Sequence, residues 1–451
     1  MRRVWFLPLL TGGLLACEPQ FAPDASPRVE SLDTLTEAAP APLRSAAEEA
    51  QAVFESTLAL EDSPESAGPA ERERLTAVER LGKLLFFDRR LSEPPGQACA
   101  VCHGPTVGWT GPEQHINATG AVYEGAVQGR FGNRKPPSSA YATPAPIFHR
   151  EHPRKARFVG GNFWDGRATG EELGNPAADQ AQGPFLNPVE QNNPSEASVV
   201  AKVCQGPYAG LFRSVYGSRI CADVGRAYDS IALAIAAYED SPEVNAFTSR
   251  YDAWLAGKAR LTDQERWGLK LFEGKGQCAN CHPSRPGPRG EPPLFTDFTY
   301  DNLGTPQNLL NPWYWQREFN PQGPFWVDYG LGAFLQTREE WRPFARENLG
   351  KVKVPTLRNV DKRPYPGFIK AYGHNGYFKS LESIVHFYNT RDVLPVCLPG
   401  FPGTPGEDCW PPPEVGMNLN TKELGNLGLS PQEEAAIVAF MRTLSDGYFQ
   451  R

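Results

Sequence analysis

The sequence predicts a mostly α-helical protein of two similar domains in tandem, with long Pro/Gly-rich loops around the helices. Three observations lead there. A segment repeats without gaps, "LTAVERLGKLLF" at 75–86 and "LTDQERWGLKLF" at 261–272, with apolar residues at helical spacing behind a Leu-Thr start signal. Each copy is followed by two cysteines, two spacers and a histidine, "CAVCH" at 99–103 and "CANCH" at 278–282. Each half then closes on a second helical pattern, "YDSIALAIAAYE" at 228–239 and "SPQEEAAIVAFMRTL" at 430–444. With 44 prolines and 43 glycines in 451 residues, the intervening stretches read as long ordered loops.

The cysteine-histidine spacing has a chemical reason. Covalent haem c needs two cysteines on one turn of chain for its thioethers, and the adjacent histidine turns its imidazole onto the iron. Zinc ribbons place their knuckles closer together, and a redox CxxC has no use for a following histidine. Two haem c groups are therefore expected, on Cys99, Cys102 and His103 and on Cys278, Cys281 and His282. Helix, CxxCH and closing helix is the order of a cytochrome c fold. The reading is two cytochrome c-like haem domains, at 73–250 and 258–448.

The start reads as an export signal: Arg2 and Arg3, an apolar run, then "LLAC" ending at Cys17. That ending resembles the bacterial lipobox, so residues 1–16 are expected to be removed and Cys17 lipidated. Glu18 follows rather than Asp, which favours an outer-membrane anchor facing the periplasm. Residues 17–72, rich in Ala, Pro, Glu and Ser, read as a tether with a short helix near 45–60. Four cysteines remain, and in an oxidising compartment an even remainder suggests disulfides. Cys204 with Cys221 and Cys397 with Cys409 each close a short local loop; metal ligation is the alternative, with no histidine nearby at ligand spacing. The net charge of −7 carries no basic footprint for nucleic acid.

"FWDGRA" (163–168), "QAQGPFLNPVE" (180–190) and "KVPTLRNV" (353–360), taken with the two haem motifs, resemble the bacterial dihaem cytochrome c peroxidases and the related MauG-like dihaem enzymes. The likeness covers most of residues 75–448. It implies that the Cys99/Cys102/His103 haem is the peroxide-reacting one. It also implies that Gln180, Pro184 and Glu190 lie over its iron, and that Trp164 lies between the two haems. Those residue types suit the chemistry. Splitting peroxide means removing a proton from one oxygen and delivering it to the other, which one carboxylate can do as base and then acid, here Glu190. Gln180 can donate a hydrogen bond without competing as a base, and Pro184 offers no donor and blocks a sixth protein ligand.

The resemblance places the second ligand of the other haem 14 residues beyond His374, at Tyr388 in "HFYNT". The peroxidases usually carry methionine there and the MauG-like branch tyrosine, whose phenolate stabilises high iron oxidation states. Met417 is the competing ligand; Met441 reads as core. His115, His149, His152 and His386 read as loop or surface residues. The resemblance also implies one Ca2+ between the domains. Asn133 lies one or two positions from the family's asparagine, and Ile369-Lys370-Ala371 stands where the family has Thr-Ala-Pro.

The expected function is a dihaem c-type peroxidase that reduces hydrogen peroxide at the first haem. Electrons would reach it through Trp164 and the second haem from a small cytochrome c or cupredoxin. The alternative is a MauG-like enzyme that oxidises Trp or Tyr of a partner protein through a bis-ferryl state. Gly276 stands where MauG has a tryptophan that passes the oxidising equivalent outward, which leaves the aromatic segment 311–330, with Trp313, Trp315 and Trp326, as the alternative route. From another class, a dihaem electron carrier remains, which leaves "QAQGPFLNPVE" without a purpose.

Overall fold

The computed structural model describes residues 44–62, 75–151, 157–398 and 403–449; Cys17, the signal segment and His152 lie outside them. The longer helices are α1 (Ala46–Asp62), α2 (Ala77–Phe87), α3 (Pro176–Leu186), α4 (Glu196–Gln205), α5 (Ala209–Tyr216), α6 (Val224–Asp240), α7 (Arg250–Leu255), α8 (Asp263–Glu273), α9 (Gly330–Gln336), α10 (Leu381–Thr390) and α11 (Pro431–Arg442). Two short antiparallel ribbons accompany them, β1 (His149–Arg150) with β2 (Phe158–Val159) and β3 (Tyr300–Asp301) with β4 (Val352–Lys353). The protein is thus mostly helical, with few strands. Among the described residues no helix is long and apolar enough to cross a membrane.

The repeated segments fold alike from their first residue. Thr76 and Thr262 each cap a helix, and Glu79 and Glu265 complete the reciprocal bond, so α2 and α8 both open on a capping box. Each packs against the helix that closes its half, α2 on α6 and α8 on α11. Equivalent glycines set the crossing. A Cβ on Gly82 would lie 1.9 Å from the Ala234 carbonyl oxygen, and one on Gly268 would lie 1.9 Å from that of Ala436. Only a residue without a side chain lets the two backbones come this close.

Two apolar cores result. One runs from Ala50 to Val244 and gathers Leu81, Leu84, Phe86, Phe87, Trp109 and Tyr238; the other runs from Tyr251 to Leu444 and gathers Phe272, Phe295, Phe387 and Phe440. The loops between them interlock. Arg134 bonds both Asp165 (2.7 Å) and Asp328 (2.6 Å), and the Asn311 amide reaches the Asn133 carbonyl at 3.0 Å. Arg358, from the "KVPTLRNV" segment, is 2 % exposed and makes two bonds of 2.9 and 3.0 Å to Asp252. Such a buried pair is costly to break from one side. From Arg44 onward the chain forms one compact unit.

The tether expected over residues 17–72 is shorter than its composition indicated. Ala46, Ala50, Phe54 and Thr57 share one buried face of α1, with Ala50 and Phe54 in the first core. Arg90 lies 4.7 Å from the Phe54 ring centre. The segment is alanine-rich because it is a packed helix. The structure pairs Cys204 with Cys221 and Cys397 with Cys409.

Replacing Gly268 by Ala should push α8 off α11 and destabilise the protein by about 1–3 kcal/mol, with the same direction for Gly82→Ala. Gly210→Ala, in α5 with nothing within 4 Å of the added carbon, should be neutral or stabilising by about 0.5–1 kcal/mol. Urea midpoints of the three variants check this.

Candidate active site

One helical turn, Cys99–Cys102, presents the first cysteine pair, and His103 follows as its cap. None of Cys99, Cys102, Cys278 and Cys281 is in a disulfide. The His103 Nδ1–H donates to the Trp109 carbonyl at 3.3 Å, and the His282 Nδ1–H to the Phe295 carbonyl at 2.7 Å. Both rings are thereby oriented by a backbone acceptor, which leaves Nε2 as the nitrogen for a metal. Burial pushes His103 down to about 4 and His282 downward too, so both are neutral near pH 7, the form that ligates iron. Half-buried thiols held beside a neutral, oriented imidazole fit a covalently attached haem c at each motif.

A cavity of about 380 Å³ opens beside the first motif, and Cys99, Cys102, His103, Gln180, Pro184 and Glu190 all line it. Helix α3 brings two of these residues there. Asn175 caps it, Pro176 occupies its first turn, and Pro184 sits in its last turn, where the chain then bends toward Glu190. The Asn187 amide donates to Glu190 Oε2 at 2.9 Å. Burial raises the Glu190 carboxyl, while Arg167 and Asn187 oppose the rise. A carboxyl pulled both ways in a cavity has the poise of a general acid–base group. Arg167 lines the same cavity, held by Asp165 at 2.8 Å and stacked 3.8 Å over Phe163. It lies inside "FWDGRA", so the signal was in the quoted motif but its role was not read.

The second cavity, about 190 Å³, is lined by Cys278, Cys281, His282 and Tyr388. Tyr388 projects from α10, and burial pushes its phenol well up, followed by Cys278, Cys281 and Asp301. A phenolate forms there only when a cation takes the proton's place. The methionine reading needs correction. Met417 is 47 % exposed and does not line this cavity, whereas Met441, buried in the second core, does. Gly276 also lines it, and a Cβ there would stand 3.0 Å from Ile437 Cδ1 and the Leu271 carbonyl, so a side chain at this position needs its neighbours to shift.

Trp164 lines both cavities. Its indole N–H donates to the Lys135 carbonyl at 2.8 Å, and the Lys353 N–H donates to its carbonyl at 2.8 Å. Its ring meets His374 edge-on at 6.4 Å. Trp164 and His374 occupy matching turns, one closed by an Asn162–Ala168 bridge and the other by Tyr372–Phe378. The sequence reading used His374 only as a landmark. It is 7 % exposed, with neither ring nitrogen hydrogen-bonded, 3.8 Å from Asp328 and 3.9 Å from Glu414.

Other expectations fall elsewhere. His115 is exposed, and so is His149 at the start of β1. His386 is half-buried against Glu434 at 3.0 Å, because α10 packs on α11 there. Trp313 lines the first cavity and meets Trp326 at 5.7 Å, while Trp315 is 63 % exposed. The residues read for calcium do not fit a calcium ion. The Ile369 carbonyl accepts from the Asn117 amide at 3.2 Å and the Asn133 carbonyl from Asn311, while the Lys370 side chain, a hydrogen-bond donor, turns inward onto carbonyls. That amine bonds the Val107 and Asn359 carbonyls, and an N–H group cannot ligate a metal ion.

The family model for di-haem cytochrome c peroxidase matches residues 76–260. The methylamine utilization protein MauG of Paracoccus denitrificans is 35% identical over 393 residues, covering 85% of this chain and 93% of that protein. This chain belongs to the dihaem cytochrome c peroxidase/MauG family. The family implies two c-type haems and makes the protein an oxidoreductase. The cytochrome-c peroxidase IdrP1 of Denitromonas iodatirespirans is 28% identical, with 84% of each chain covered. Among solved structures, the diheme peroxidase BthA from Burkholderia thailandensis is similar at 30% identity and a TM-score of 0.64, covering 85% of this chain and 89% of that one.

Glu239, another residue missed from sequence, lines the first cavity, and burial raises its carboxyl from 4.5 to about 8. Below pH 4.5 the unfolded and folded states both keep this proton. Between 4.5 and about 8 the unfolded chain releases it and the folded one does not, so this group makes stability fall as pH rises. Glu239→Gln should therefore raise the urea midpoint at pH 8 and leave it unchanged at pH 4.

Proposed function

We propose that this protein is a peroxide-dependent dihaem oxidoreductase that reduces hydrogen peroxide at the first site with electrons relayed from the second. One observation carries the reading: Glu190, Gln180 and Pro184 face the His103 cavity, and Trp164 is a wall of that cavity and of the one holding His282 and Tyr388. A carrier without chemistry of its own has no need of a cavity in which a carboxyl, an amide and a proline gather beside one haem-motif histidine.

Haem iron, when bound, supplies the centre at which the peroxide bond is broken and the electrons that break it. The chain's residues do the rest. Peroxide gains two electrons and two protons to become two waters. Glu190 takes the proton from the nearer oxygen and returns it to the departing one, and Asn187 holds that carboxyl in place. Gln180 orients the peroxide by hydrogen bonding, and Pro184 closes the position a protein ligand would take. The Lys135 carbonyl fixes the Trp164 ring for electron passage between the sites.

A second reading is favoured by Tyr388. A phenolate ligand in place of methionine disfavours reduced iron at the second site, which suits an enzyme that withdraws electrons from Trp or Tyr of a partner protein. Gly276 bars the outward route that a tryptophan would provide there, and the segment from Trp313 to Trp326 is the remaining aromatic path. A small cytochrome or cupredoxin is the donor in the first reading. In either, the chain would act on the periplasmic side, anchored through lipidated Cys17; the two disulfides support an oxidising compartment.

Electron paramagnetic resonance of the ferric holoprotein should give one high-spin and one low-spin signal, both lost with one equivalent of peroxide. Glu190→Gln should slow that loss by about 10²–10⁴-fold. Tyr388→Met should keep the first-site reaction but shorten the life of the oxidised protein. Two low-spin signals indifferent to peroxide, before and after one-electron reduction, would leave only an electron carrier.

A further inference from the structure

Two buried lysines, neighbours of each other, line the cavity whose wall includes Trp164. Lys370 is 4 % exposed, and its Nζ donates to the Val107 and Asn359 carbonyls, each at 2.9 Å. Lys135 is 8 % exposed, and its Nζ donates to Thr110 Oγ1 at 2.8 Å and to the Pro136 carbonyl at 3.1 Å. Both line the second cavity, and Lys135 lines the first as well. Their acceptors come from the loop after the first haem motif, from "KVPTLRNV" and from the Lys135 segment, so the amines knit together strands of chain far apart in sequence. The Lys135 backbone also donates to the His374 carbonyl at 2.9 Å and accepts the Trp164 indole. Removing the Lys370 amine would take that donor from the inward-facing Val107 carbonyl, at a cost that buried polar groups do not bear lightly.

We propose that Lys370, with Lys135 beside it, is a built-in cation that holds the wall between the two haem sites, so that this protein needs no Ca2+ there. Burial lowers both amines, Lys135 to about 8 and Lys370 further because Lys135 is its neighbour. Exclusion of the metal does not depend on how the pair shares its protons, since even a neutral amine has two N–H groups for two oxygens and a metal has no use for them. Lys370 is a positioning residue: it acts on Trp164 through the Val107–Thr110 and Lys135 segments.

The test starts from wild-type holoprotein. Elemental analysis should find no stoichiometric calcium, and chelation with EGTA should leave the resonance spectrum and the peroxide response of both haems unchanged. About one calcium per chain, or a spectrum changed by chelation, overturns the proposal. In Lys370→Ala the second haem should respond to peroxide about 10–100-fold more slowly while the first responds normally. Methylammonium, which fits the vacated space, should restore the rate. A Lys370→Ala protein with wild-type transfer, or slowed transfer that methylammonium leaves slow, also overturns it. The proposal rests on the two-site reading above, but the calcium content is measured without peroxide; wild type indifferent to peroxide would sink that reading and not this one.

Discussion

The bond from the Trp164 indole to the Lys135 carbonyl is the constraint on which the two sites depend. It fixes one ring in the walls of two cavities that belong to two different apolar cores. An electron passing between the sites needs a short path through a ring that does not wander. The indole is held at its nitrogen by Lys135, at its backbone by Lys353 and along its edge by His374. A buried N–H with one acceptor has little freedom to rotate, because turning away would leave both groups unpaired.

The two halves solve the same packing problem in the same way and then diverge in chemistry. Gly82 and Gly268 set identical helix crossings, and Thr76 and Thr262 set identical starts. Beyond the histidines the environments part. The first cavity receives α3 and the bend to Glu190, with Arg167 and Glu239 tuning the local charge. The second receives α10 with Tyr388, and Gly276 lines it beside the cysteines. Duplication supplied the frame, and unequal loops supplied the different linings of the two cavities.

Buried cations recur at this junction. Arg134 bridges Asp165 and Asp328, Arg358 is clamped by Asp252, and Lys135, Lys353 and Lys370 bond carbonyls. Long loops cannot bury much apolar surface, so their contacts rely on polar groups that must each be satisfied. The result is specific geometry at the interface of the two cores, where small displacements would change the spacing of the haem sites.

The sequence by itself determined the haem attachment residues, the repeated helices with their caps, and the mostly helical class, because thioether spacing and helix start signals are local in the chain. It also marked Glu190, Gln180, Pro184, Trp164 and Tyr388, through short motifs whose order carries the family likeness. Only the tertiary structure decided that α1 is core and not tether, that Met417 is outside the second cavity, that Arg167 and Glu239 reach the first, and that the Lys370 amine turns inward onto the Val107 and Asn359 carbonyls. Those outcomes depend on which loop meets which across 100 or more residues, as in the pairing of Arg358 with Asp252 and of Lys370 with Val107. No periodicity records such a meeting, since a lysine written in a loop looks solvated until the fold closes oxygens around it.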